Sequence, residues 1–282
     1  EDRQGDSRES VVRKACEEFV RRRVLRVPRR DLADPSTSAH LDDLLSAQVL
    51  SESPDGSLIS FPHHVLFDYA LSRLLFRGTS QDLVALLGQD KELSVFARPS
   101  LEYHFQHLWG LEPRDQFWDS WMDLLSAASV PTIAKIIPAS VAASRARADD
   151  DLTPLVTAVG DGAAPAIECL RYLVGALEAS RTITVVGPDA GPWAAFACDI
   201  AVKLSDKTAG SVAELLRRLC EDQPTPPTVE QRSALGAAAR SFFEFVDKSS
   251  RRNDGLVVHG IQMVCRTFES DPAASGAMLR RV

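Results

Sequence analysis

From Ser80 onward the chain alternates apolar-striped segments with short breaks of Gly, Pro, Asp and Ser, and the segments come in pairs. The first members begin near residues 80, 115, 151, 191 and 228, so the pair recurs about every 35 to 40 residues. A recurrence of that length constrains the fold strongly. One helix pair cannot bury its own apolar face, so it stacks on the next pair and the core grows along one direction. The pattern predicts helices near 80–88, 91–109, 115–128, 131–146, 151–160, 164–179, 191–206, 211–222, 228–247 and 254–269.

Individual stripes agree with this reading. Trp118, Trp121, Met122, Leu124 and Leu125 share one helical face, and so do Leu170, Leu173, Val174 and Leu177. Prolines 131, 154, 165 and 192 fall near helix starts, where a missing N–H costs little. Pro99 and Pro138 fall inside drawn helices and are expected to break or kink them. Residues 79–282 are therefore expected to form a HEAT-like α-solenoid, since the aromatic and small-residue signature of TPR repeats is not found. Arg181 to Gly191 does not fit the pairs and reads as a short strand or an extended loop; such loops often sit on binding faces, although an ordinary connector is the simpler reading.

Residues 1–78 read differently. Val11 to Val27 carries a helical stripe with Ser10 as its expected N-cap and Pro28 as its expected stop, and Ser38 to Leu50 makes a second helix. Pro54-Asp55-Gly56 is a turn, Ser57 to Phe61 can run as a strand, and an apolar helix follows. Helix, helix, two short strands and helix is the order of a winged helix, so the fold class is mainly α with an N-terminal winged-helix-like domain. The run Val27 to Leu32, then Leu41, Leu44, Leu45, Val49 and Leu50, then Asp55-Gly56 through Leu58, Ile59, Phe61, His63, Val65, Leu66, Asp68, Tyr69 and Ala70 resembles the winged-helix segment of STAND-type signalling NTPases, the NACHT and NB-ARC relatives.

The resemblance covers roughly residues 8 to 78 and implies a role for one residue in particular. In that family a histidine shortly after an apolar residue opens the last winged-helix element and reaches the β-phosphate of bound ADP, as His63 after Phe61 would here. NB-ARC members carry aspartate at the next position and this chain carries His64. Asp68 and Tyr69 read as a half-exposed carboxylate beside a packed aromatic. No GxxxxGK[ST] phosphate loop occurs in the chain, nor an apolar strand ending in paired acids for magnesium. The resemblance thus implies a non-catalytic regulatory and sensor region, with the nucleotide-binding core upstream and any ATP or ADP belonging to the full-length protein. A trigger or protein partner would dock on the solenoid. A free-standing helical-repeat scaffold is the alternative, and a winged-helix DNA-binding regulator is a third reading.

Charge bears on these readings. The net charge is -7, whereas nucleic-acid surfaces concentrate positive charge, so nucleic acid is not expected as a partner. Eight positive charges do fall between Arg13 and Arg30, and these read as the solvated face of an amphipathic helix. Five scattered cysteines without a CxxC pair suggest reduced thiols and a cytoplasmic setting, and no apolar run is long enough to span a membrane. His104 and His107 stand at i and i+3 but lack a third ligand, so no metal is expected. Asp149, Asp150 and Asp151 read as a solvated turn that could hold a cation weakly. HExxH and GxSxG are absent, and Asp42 and Asp43 are ordinary surface carboxylates.

Overall fold

The computed structural model describes residues 3–33, 38–221, 225–249 and 253–281, with side chains from Ser7 onward. The fold is mainly helical, and the chain divides into two compact units. The first comprises Glu1–Gly110 and Ala127–Ile137; the second comprises Leu111–Ser126 and Pro138–Val282. The expected domain boundary after Gly78 falls inside the first unit, in the connector between two of its helices.

The first unit opens with α1 (Arg3–Arg22), β1 (Arg26–Pro28), α2 (Arg29–Leu32), α3 (Ser38–Ser46), β2 (Ser51–Glu52), β3 (Leu58–Ser60) and α4 (His64–Leu74). Its three strands form one antiparallel sheet with β3 in the middle, Val27 opposite Ile59 and Ser51 opposite Ser60. Then come α5 (Ser80–Gln89), α6 (Leu93–Phe96) and α7 (Arg98–Trp109). The break that Pro99 demanded lies at Ala97, so the segment 91–109 is two helices with Pro99 in the first turn of the second.

Ser10 lies within α1, which begins earlier than expected and ends at Arg22, well short of Pro28. The cause is a left-handed residue: Arg23 has φ 55, its N–H donates to the Val20 carbonyl, and the Val24 N–H reaches back to Phe19. That is a Schellman ending without glycine. A non-glycine residue there is costly, and Arg23 is held by an ion pair to Asp90 and by its position over the Phe96 ring at 5.6 Å. α3 ends the same way at Gln48, φ 56, with Val49 donating to Leu44. The stretch read as a connector, Val27 to Leu32, is therefore a strand edge followed by one helical turn.

The core of this unit is aromatic. Phe19 from α1, Phe61 after β3 and Phe67 from α4 meet edge-on or tilted with centroids 5.7 to 5.8 Å apart, and Phe96 adds a fourth ring at 5.9 Å from Phe67. Such pairs contribute about 0.5–1.5 kcal/mol each beyond the area they bury.

The second unit contains α8 (Asp115–Ser126), the later turns of α9 (Thr132–Arg145), α10 (Thr153–Gly160), α11 (Ala164–Ala179), α12 (Trp193–Ala201), α13 (Ala209–Cys220), α14 (Val229–Lys248), α15 (Asp254–Arg266) and α16 (Pro272–Leu279). α9 is not broken at Pro138, which lies inside the continuous helix, and α16 was not anticipated from the sequence. Phe117, Trp118 and Trp121 are fully buried, with the two indoles stacked at 5.6 Å. Trp118 Nε1 donates to the Asp151 carbonyl at 3.0 Å.

Segment 181–191 is a connector without a strand, pinned from two sides. Val185, Val186 and Ala190 are buried. The Arg218 guanidinium donates to the Leu177 and Ile183 carbonyls. The Gln231 amide accepts from the Gly187 N–H at 2.8 Å and donates to its carbonyl at 3.0 Å. Gly187 is required here, because its φ is +102 and an added Cβ would meet Thr225 Cγ2 at 2.6 Å. Gln231 also accepts from the Thr228 N–H, completing the capping box that starts α14.

Asp151 is buried, contrary to the solvated turn expected for the three aspartates. It accepts from the backbone N–H of Arg147 at 2.9 Å and of Ala148 at 3.1 Å, and from Arg114 Nε at 3.0 Å. Burial pulls its pKa upward, but those two N–H groups and the Arg114 guanidinium outweigh it and hold the carboxyl below the ordinary value. The stabilisation is therefore present above the unfolded pKa of 3.8 and is lost as pH falls through the lower folded value. Asp151→Ala is expected to cost about 3 kcal/mol in urea unfolding, and the exposed neighbour change Asp150→Ala less than about 0.5 kcal/mol.

Candidate functional site

The candidate site is the N-terminus and outer face of α4. Helical geometry sets which side chains face out. Phe67 and Leu71 point into the core, and Asp68 and Ser72 are turned to the buried side. One turn round the helix, Val65, Leu66 and Tyr69 are left exposed together, Tyr69 by 56%. Asp68 and Tyr69 thus reverse the sequence expectation: the carboxylate is buried and the aromatic is out.

Asp68 receives the Ser100 hydroxyl from α7 at 2.7 Å. Burial raises its pKa, while that hydrogen bond and the charge of His64 act in the opposite direction. The pair ties α4 to α7, the helix it packs on. His63 is the N-cap of α4, with φ -136 and ψ 138, and its side chain makes no capping bond. Its carbonyl accepts from Leu66 and Phe67, and its ring is exposed beside exposed His64. An exposed imidazole at the start of an 11-residue helix, beside first-turn N–H groups that precede the i−4 ladder, is chemically suited to an anionic oxygen.

The arginines from 13 to 30 are largely engaged by carboxylates. Arg13 pairs with Glu9, Arg21 and Arg22 with Glu18, Arg22 also with Asp31, Arg23 with Asp90, and Arg29 with both Asp42 and Glu52. Asp42 and Asp43 lie on α3, which has no Lys or Arg. The turn between β2 and β3 presents Asp55, held ionised by hydrogen bonds from Ser53 and Ser57 and lowered to about 2. Neither α3 nor this turn offers the positive charge that phosphate contacts require. The chain is expected to pass unretained through a duplex-DNA column at low salt.

His104 and His107 do not converge on a metal site, and among the described residues no group of three or more His, Cys, Asp or Glu is placed to hold an ion. His104 is wedged edge-on between Phe76 and Phe105, at 5.9 and 5.4 Å. Burial, with smaller contributions from His107 and Arg73, lowers its pKa to about 4, against a weaker opposing hydrogen bond to the Ser72 backbone. All five cysteines are free; burial pushes Cys16 up to about 12 and Cys220 to about 11, so neither is a reactive thiolate. Among the described residues no helix is long and apolar enough to cross a membrane.

Comparison with family models, with curated proteins and with solved structures gives no match for this chain.

The depressed pKa of His104 has a sign. The unfolded chain takes up a proton near pH 6.5 and the folded one near 4, so stability is intact above about 6.5 and falls as pH drops between those values. His104→Gln is expected to remove that part of the slope when urea midpoints are measured from pH 7.5 down to 4, while His107→Gln leaves most of it.

Proposed function

We propose that this chain is the non-catalytic regulatory and sensor region of a STAND-like NTPase, with residues 1–78 as a winged helix and 79–282 as a HEAT-like helical repeat. The nucleotide-binding core would lie elsewhere in the full-length protein. The observation that carries the reading is the exposure of Val65, Leu66 and Tyr69 on one face of α4, directly after His63 and His64. Adjacent exposed apolar side chains rimmed by polar groups favour a protein interface over a solvated surface.

Two architectural features support it. The order α1, β1, α2, α3, β2, β3 with β3 at the centre of the sheet suits a winged helix. From α10 to α15 the packing runs between neighbours and next neighbours: α10 on α11 and α12, α12 on α13 and α14, α13 on α14 and α15. Short-range stacking of that kind suits a repeat array.

In this reading the core packs on the apolar face of α4 and His63 reaches the β-phosphate of ADP, as the STAND resemblance implies. The residues fit one phosphate contact, through the imidazole and the first N–H groups of α4. Bound ADP would supply the negative charge that ties the core to the winged helix. A trigger on the helical repeat would open the protein by binding its open state more tightly than its closed one. A free-standing scaffold would share the helical repeat but would leave the α4 face unexplained. The DNA-binding reading is opposed by the acidic α3 and Asp55.

The test uses the full-length protein that carries this chain. His63→Ala is expected to speed ADP release on the order of tenfold, the worth of one hydrogen bond to a charged group. Leu66→Asp with Tyr69→Ser is expected to release the closed form into higher oligomers on a sizing column, with the melting of the isolated chain unchanged. ADP release and oligomeric state both unaltered would overturn the reading in favour of a scaffold.

A further inference from the structure

We infer that the second unit carries a binding cleft for a small organic anion, between the C-terminal ends of α13 and α15 and the first turns of α14. The cleft encloses about 310 Å³, at the lower end of small-molecule sites. Leu219, Leu235, Val186 and Pro226 give it an apolar wall. Arg232 from α14 and Arg266 from α15 stand over that wall.

Neither guanidinium forms an ion pair among the described residues. Arg266 donates to the Cys220 carbonyl at 3.2 Å, which fixes its reach across the end of α13. A third guanidinium, Arg240, lies two turns beyond Arg232 on α14 and is hydrogen-bonded to Ser270 Oγ at 3.4 Å and Ser275 Oγ at 3.5 Å. Ser270 itself lines the cleft, and Arg240 likewise has no carboxylate partner among the described residues. Two acids also line the cleft. Glu221 is engaged by Arg217, which leaves Glu269 on the rim against the two lining arginines, Arg232 and Arg266.

Guanidinium forks match planar or tetrahedral oxyanions, and the Thr225 hydroxyl adds a further donor, whereas the Thr267 hydroxyl already donates to the Met263 carbonyl at 2.8 Å. The apolar wall suits one compact hydrocarbon group attached to that anion. The ligand class is therefore a carboxylate or phosphate monoester bearing a small apolar body. This deepens the recognition role proposed for the helical repeat and rests on it, but it makes no use of α4.

Phenyl phosphate, benzoate and phenol titrated into the whole chain, with binding followed calorimetrically, test it. At least one of the two anions is expected to saturate while phenol does not, and the tighter anion assigns the head group as phosphate or carboxylate. Arg232→Gln and Arg266→Gln are each expected to weaken that binding at least tenfold, with unchanged melting temperature, and added salt is expected to weaken it as well. Failure of both anions to saturate, equal binding of phenol, or binding indifferent to both substitutions would overturn the proposal. Leu66→Asp with Tyr69→Ser leaves this titration untouched, so failure of the cleft and failure of the α4 interface are read separately.

Discussion

Three rings set the geometry of the first unit. Phe19, Phe61 and Phe67 come from α1, from the residue after β3 and from α4, and their mutual contact fixes how far α4 is rotated about its axis. With Phe67 turned inward, helical periodicity leaves no freedom for the rest: Leu71 follows it into the core, Asp68 meets Ser100, and Val65, Leu66 and Tyr69 face solvent. The exposed face is a consequence of the core and not a separate device. A side chain in the sheet region and one in the first helix thereby decide what α4 presents.

The second unit is ordered by buried and half-buried polar groups as much as by its indoles. Asp151, Arg218 and Gln231 each satisfy several backbone groups that burial would otherwise leave unpaired. Such groups are costly to bury and costly to break, so they fix one arrangement of the connectors between helices more than they add net stability. The helices supply the apolar bulk, and these three side chains decide where the intervening segments lie.

Most helices were legible because their stripes are long and their breaks carry Gly, Pro or Asp. What was not legible had physical reasons. The ends of α1 and α3 use Arg23 and Gln48 in the left-handed conformation, where a reader looks for glycine. β1 exists only because Arg26 to Pro28 pairs with a strand some thirty residues on, a non-local cause that no local pattern reports. Asp68 and Tyr69 were assigned to the wrong sides because the phase of the α4 stripe is set by the aromatic contacts. Of the site, His63 was marked by its place after Phe61, but its exposure and the apolar patch beside it were not. The guanidiniums of the cleft lie on different helices and share no motif.

Gln231 joins two features that a sequence would treat as independent. One amide closes the start of α14 through Thr228 and holds both backbone groups of Gly187 in the 181–191 connector. Glutamate at this position could still accept from the Thr228 and Gly187 N–H groups, but it could not donate to the Gly187 carbonyl. Drift at residue 231 is therefore felt by the connector as well as by the helix. Among descendants of this chain, the length and composition of that connector should change in step with residue 231.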